Sequence, residues 1–124
     1  MQNHLYNLIS NLKNGQNVKK AFVFSENTKI CKKLLEILWD EGYILGYKVL
    51  PVENKLKIYL KYKKGVPVIR SIESISRPGL RVYCSLKDLE QFRSFTILTT
   101  NLGLQTLYQC KKLKVGGEPL IKIT

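Results

Sequence analysis

The segment KLKIYLKY, residues 55–62, alternates apolar residues with lysine or tyrosine along its whole length. Because alternate side chains of a β-strand point to opposite faces, this pattern predicts a strand with one buried face and one basic face. The basic face has two explanations. Its lysines could solvate the sheet and block edge-to-edge aggregation, or they could face a phosphate backbone together with Tyr59. The sequence leaves both open.

The chain before this segment shows the signals of an α/β portion. Apolar residues three or four positions apart indicate amphipathic helices, and short apolar runs bounded by turn residues indicate strands. They predict a helix over 3–13, followed closely by Gly15, and a strand near 18–24. They also predict a second helix, with the apolar stripe Ile30, Leu34, Ile37 and Leu38, a cap at Ser25 or Asn27 and an end before Gly42. A strand over 43–50 then turns at 51–54 into the opening segment.

The chain after this segment is richer in predicted strands. Residues 63–72 contain a glycine, a proline and no acid, which is typical of a connection. Beyond it the pattern predicts a type II turn at 77–80, a strand leaving it, a short helix over 86–92, a strand over 95–100, a helix over 106–113 and a strand over 120–123. We therefore predict an α+β fold, with an N-terminal α/β portion, residues 1–65, and a mainly β C-terminal portion, residues 66–124.

The charge of the chain points to a polyanionic partner. Lysine and arginine number 21 against 9 acidic residues, a formal net charge of +12. The arginines, whose planar fork suits phosphate, cluster in one part of the chain: Arg70, Arg77, Arg81 and Arg93. No apolar run approaches the ~20 residues that span a bilayer, and no signal-like segment opens the chain, so we expect no membrane partner.

Residues suited to catalysis or metal binding are sparse. Cys31, Cys84 and Cys110 are widely spaced and form no C-x-x-C pair, the only histidine is His4, and the carboxylates are dispersed. The phosphate-binding glycine loops of nucleotide enzymes are also missing from the sequence. We therefore predict that the protein is not an enzyme and has no cofactor, no metal and no small-molecule substrate.

Three short segments are candidates for RNA contact. SRPGLRVYC, residues 76–84, puts Arg77 and Arg81 on either side of a Pro-Gly turn, with the Tyr83 ring available for stacking on a base. TTNLG, residues 99–103, and VGGEP, residues 115–119, place short hydrogen-bonding groups or a lone glutamate beside glycines. Ordinary Ser/Thr or Asx turns explain the last two segments as well as RNA contact does.

The order and spacing of these segments resemble the ribosomal protein eight family of the small subunit. The matching pattern runs from SRPGLRVY through LKDLEQF and ILTTNLGLQT to CKKLKVGGEPLIKI, and EGYI at 41–44 is similar too. The resemblance implies a structural protein that binds the central domain of small-subunit rRNA, assembles the platform and touches neighbouring ribosomal proteins. It also implies RNA-binding residues: Thr99, Thr100, Asn101 and Gly103 in a loop that enters an RNA helix, Gly116, Gly117 and Glu118 alongside, Arg77, Arg81 and Tyr83 in support, and Lys29 on backbone elsewhere.

The sequence departs from the family's pattern in ways that bear on location. Thr99, Thr100 and Asn101 stand where Ser-Thr-Ser is usual, and Lys114 stands where glycine is usual. Together with a composition rich in Lys, Asn, Ile and Leu, this drift favours a mitochondrial ribosome, with a plastid or an A+T-rich bacterium as alternatives. A stand-alone RNA-binding regulator and a metal-dependent RNA-processing enzyme are the other functions left open.

Overall fold

A computed structural model describes residues 3–75, 83–85, 87–91 and 95–123. The predicted turn at 77–80, with Arg77 and Arg81, lies outside the described residues. In chain order the elements are α1 (Asn3–Asn17), β1 (Phe22–Glu26), α2 (Lys29–Asp40), β2 (Ile44–Leu50), β3 (Lys55–Leu60), β4 (Tyr62–Lys63), β5 (Val66–Pro67), β6 (Ile72–Ser74), a 3-10 helix (Asp88–Gln91), β7 (Phe95–Thr100), β8 (Gly103–Thr106), α3 (Leu107–Leu113) and β9 (Glu118–Ile123). This combination of helices and antiparallel sheets confirms the α+β fold class.

The chain divides into two compact units, Met1–Arg70 and Ser71–Thr124. The sequence assigned residues 66–70 to the second portion, whereas the structure groups them with the first. The reason is local pairing, because β5 forms a small hairpin with β4 and the Val68 amide donates to the Lys61 carbonyl at 3.1 Å.

The first unit is built on an antiparallel sheet with strand order β1-β3-β2. The alternation in the opening segment is confirmed for 55–60, because Leu56, Ile58 and Leu60 are buried while the residues between them are partly exposed. The strand ends at Leu60, and Tyr62, which the pattern placed on the buried face, is half-buried in β4. Helix α1 packs against β1 and α2 against β2. Both helices present apolar faces to the core, whose fully buried members include Leu5, Leu8, Leu12, Leu34, Leu35 and Leu38.

Helix α1 continues past the end that the sequence predicted. It runs to Asn17, through Gly15, because this glycine allows close packing: a Cβ at Gly15 would collide with Cγ1 of Val23 on β1. Lys19 then takes a left-handed φ of 57°, and the Lys20 amide closes the helix end by donating to the Gly15 carbonyl at 2.8 Å. The strand predicted near 18–24 consequently starts only at Phe22.

Helix α2 is capped by Thr28, not by Ser25 or Asn27. The Thr28 hydroxyl accepts from the Cys31 amide at 3.3 Å, which satisfies a free N–H group of the first turn. Ser25 lies inside β1, where its backbone pairs with Leu56.

The second unit contains an antiparallel sheet with strand order β6-β9-β7-β8. Strand β8, which the sequence analysis did not predict, pairs with β7 through a tight turn at residues 101 and 102. The predicted helix over 106–113 is confirmed as α3, which starts at a capping box between Thr106 and Gln109. The short helix predicted over 86–92 is a 3-10 helix, and its Leu89 joins Cys84, Leu98, Leu107 and Cys110 in a buried cluster.

Candidate nucleic-acid interface

The β7–β8 turn is held by hydrogen bonds of the Thr100 side chain. The Thr100 hydroxyl accepts from the Leu102 amide at 3.0 Å and donates to the Gly103 carbonyl, also at 3.0 Å. Asn101 is exposed at the tip. Gly103 has φ +99°, a conformation that L side chains rarely adopt, and open space lies beside its Cα. The tip therefore offers an exposed amide on a backbone that is fixed by internal hydrogen bonds.

The glycine pair before β9 allows three backbone segments to meet. A Cβ at Gly116 would lie 2.6 Å from the Cys84 carbonyl oxygen, and one at Gly117 would lie 2.6 Å from that of Thr99. Cys84 and Gly117 exchange two backbone hydrogen bonds, of 2.8 and 2.9 Å. Glycine is thus required here because any side chain would push the segments apart.

The contacts around the glycine pair create a recess of about 510 Å³. Tyr83, directly before Cys84, is 73% exposed and offers its ring at this recess. The recess brings together predicted site residues that lie far apart in sequence, and it is lined by Tyr83, Thr99, Thr100, Asn101, Val115, Gly116, Gly117 and Glu118. We call this set the recess surface.

Strand register explains why the two predicted loops meet. In the β7–β9 pairing, Thr99 lies opposite Glu118, so the end of one loop adjoins the start of the other. The Thr99 hydroxyl is buried and has no hydrogen-bond partner within the described part of the chain. Buried polar atoms are nearly always paired, so an unpaired hydroxyl at this position is unusual. It can donate or accept a hydrogen bond beside the recess.

Two other predicted residues, Lys29 and Gly103, do not belong to the recess surface. Lys29 is exposed at the start of α2 in the first unit, and Gly103 does not line the recess. The sequence analysis missed Val115, whose side chain packs on the buried cluster and anchors the glycine pair. Lys114 directly before it holds a left-handed φ of 57° and, like Lys111 and Lys112, is exposed.

The chemical groups at the recess suit recognition by hydrogen bonds and stacking. Hydroxyls and an amide can contact riboses and bases closely, while the lysines at the end of α3 attract phosphate. Among the described residues, no three of His, Cys, Asp and Glu are grouped as metal ligands. Within the same residues no helix is long and apolar enough to cross a membrane.

Comparison with known families identifies the family of the chain. The family described as Ribosomal protein S8 matches residues 3–124. The chain belongs to this family. Two bacterial S8-type relatives are the small ribosomal subunit protein uS8 of Rhizobium etli, 36% identical over 99% of this chain and 98% of the relative, and that of Brucella ovis, 37% identical over 96% and 95%. The small ribosomal subunit protein uS8m of Acanthamoeba castellanii is 38% identical over 96% of this chain and 97% of the relative.

Proposed function

We propose that the protein is a structural component of the small ribosomal subunit that binds the central domain of its rRNA and helps assemble the platform. Membership of the S8 family and the names of its relatives support the ribosomal role. The observation that carries RNA binding is the convergence of Tyr83, the 99–101 turn and the 116–118 segment on one recess.

The proposed mechanism has two steps. Lysines first attract the RNA backbone, which gives fast and salt-sensitive association without sequence preference. The recess surface then docks into an irregular RNA helix, where Thr100 and Asn101 approach base edges or riboses and Glu118 accepts from base amino groups. Arg77 and Arg81 contact phosphates of the same RNA, and Lys29 contacts the RNA backbone at another place. Neighbouring ribosomal proteins complete the set of partners.

The decisive experiment compares two RNAs. The full chain is titrated in a filter-binding assay against a central-domain rRNA fragment and a scrambled hairpin, each at several salt concentrations. Preference for the fragment that persists near physiological salt would support specific recognition. Equal binding that salt abolishes would contradict it.

Replacing Thr100 and Asn101 with alanine localises the recognition. We expect the double variant to lose about 1–3 kcal/mol of binding free energy for the fragment, the usual cost of losing specific base contacts. Binding to the scrambled hairpin should stay nearly constant, because phosphate contacts carry it. A parallel fall for both RNAs would show that this turn does not read the RNA.

Sedimentation separates a ribosomal component from a regulator. The protein should remain with small subunits in high-salt gradients, whereas release would favour the stand-alone regulator. The proposed location is a mitochondrial ribosome, which the composition supports. Mitochondrial and bacterial relatives are similarly close, at 38% and 36–37% identity, so fractionation of the source cells decides between them.

A further inference from the structure

The outward face of the sheet in the first unit carries two phenylalanines that the core does not cover. Phe22 is 39% and Phe24 45% exposed, and their rings meet edge to face with centroids 5.5 Å apart. The strand register places Tyr59 opposite Phe22 and Lys57 opposite Phe24. We call these four residues the aromatic–lysine face.

Lys57 lies at the centre of this face. Its Nζ is 4.1 Å from the centroid of the Phe22 ring and 5.4 Å from that of Tyr59. Within the residues that the structure describes, Lys57 has no carboxylate at ion-pair distance, whereas Lys55 donates to Glu26 at 2.5 Å. A cation held over rings without a counter-ion remains available to an incoming anion.

Further positive charge and a recess border the rings. Lys48 pairs directly with Lys57 across β2 and β3, an arrangement that repels unless an anion lies between the two ammonium groups. A recess of about 540 Å³ beside β1 is lined by Asn11 and Lys20 as well as by both phenylalanines. The face therefore combines flat apolar rings with lysines on both sides.

Solvation and protection from aggregation account for the lysines but not for the rings. Exposed phenylalanines side by side are unfavourable in water and mark a binding surface. Single-stranded nucleic acid uses both components, because bases stack on aromatic rings while phosphates pair with lysine. An acidic peptide would pair with the lysines and leave the flat rings without a specific role.

We infer that the aromatic–lysine face binds unpaired RNA nucleotides, with bases stacked on its exposed rings and phosphates at Lys57 and Lys48. This contact goes beyond the proposed function, because it lies in the first unit and requires no folded RNA helix. It is a second RNA-binding surface, and it uses none of the residues of the recess surface.

The test measures fluorescence anisotropy of the full chain with three labelled probes: a short unstructured RNA strand, the same strand in a duplex, and polyglutamate. The variant Phe22→Leu/Phe24→Leu keeps apolar bulk and removes both rings. Its affinity for the single strand should fall about tenfold or more, since one stacked base contributes roughly that factor. Tyr108→Leu, which removes a 73% exposed ring on α3, is the matched control and should bind like the unmodified protein.

A second variant covers the case in which loss of the rings disturbs folding. Lys57→Gln keeps the rings and should lower the salt dependence of single-strand binding by about one released ion. Ultraviolet cross-linking with mass spectrometry should place a nucleotide on the peptide that contains Phe22 and Phe24.

Three results would overturn the inference: equal single-strand affinity for the ring variant and Tyr108→Leu, tighter binding of the duplex, or polyglutamate binding with the same dependence on the rings. Failure of the proposed function gives a different signature. If the proposed function is wrong, the unmodified protein shows no preference for the central-domain fragment over the scrambled hairpin. The variant Thr100→Ala/Asn101→Ala should bind the unstructured strand as tightly as the unmodified protein does.

Discussion

Gly117→Ala tests whether close backbone approach builds the recess surface. The added Cβ would lie 2.6 Å from the Thr99 carbonyl oxygen and 2.9 Å from Cγ2 of Thr100, both closer than non-bonded contacts allow. Strand β9 must therefore move away from β7. Overpacking of this kind costs about 1–3 kcal/mol, and weakening one of the two Cys84–Gly117 hydrogen bonds adds about 1 kcal/mol. We expect the free energy of unfolding to fall by about 2–4 kcal/mol.

Gly65→Ala is the matched control, because Gly65 has φ +78° but nothing within 4 Å of an added Cβ. It should cost only the left-handed conformation, about 1 kcal/mol. Urea denaturation followed by circular dichroism gives the free energies. Hydrogen exchange should show faster exchange for Gly117→Ala in peptides covering 95–100 and 118–123. If Gly117→Ala is no more destabilising than Gly65→Ala, or its exchange is unchanged there, the close-approach argument is wrong.

Two further predictions concern buried groups. Thr99→Val should raise the free energy of unfolding by about 1 kcal/mol, since it removes a buried unpaired hydroxyl, and should weaken binding of the central-domain fragment; a loss of stability in denaturation would contradict this. Burial raises the pKa of the thiols of Cys31, Cys84 and Cys110, with Asp88 adding to the effect at Cys84, so less thiolate forms at a given pH than in the unfolded chain. Iodoacetamide at mildly alkaline pH should label all three thiols rapidly in urea and slowly in the native protein, measured by mass spectrometry after equal times. A thiol that is labelled as fast in the native protein as in urea would contradict the prediction.

Periodicity alone predicted the elements whose two faces differ strongly in polarity. Strand β3 and helices α1 and α2 were found because their apolar residues recur at the spacing of their structure. Strand β8 was missed because Gly103–Thr106 is short and has only one buried apolar residue, Leu104. Strand β8 is stabilised by its pairing with β7, although its own sequence carries no clear strand pattern.

The sequence analysis named every residue of the recess surface except Val115, but only the resemblance, and no pattern in the residues, implied that 116–118 lies alongside the 99–103 loop. The motifs named Thr100, Asn101 and the glycine pair, yet strand order within a sheet depends on contacts between distant segments. Only the pairing of β7 with β9 brings Thr99 opposite Glu118 and closes the recess. The glycines illustrate the same limit. A glycine that is needed for a turn and a glycine that is needed for close approach of two backbone segments look the same in the sequence.

Strand β1 shows how one such glycine determines a second surface. Its residues Phe22, Val23 and Phe24 are all apolar, so the period of two cannot say which side chain points inward. Gly15 decides this, because the absence of a side chain lets α1 pack directly on Val23, which is buried. With Val23 inward, the pleat directs Phe22 and Phe24 outward, where both side chains are exposed. The glycine taken from the sequence as a helix-end signal therefore sets the orientation of β1 and leaves both phenylalanine rings on the outward face beside Lys57.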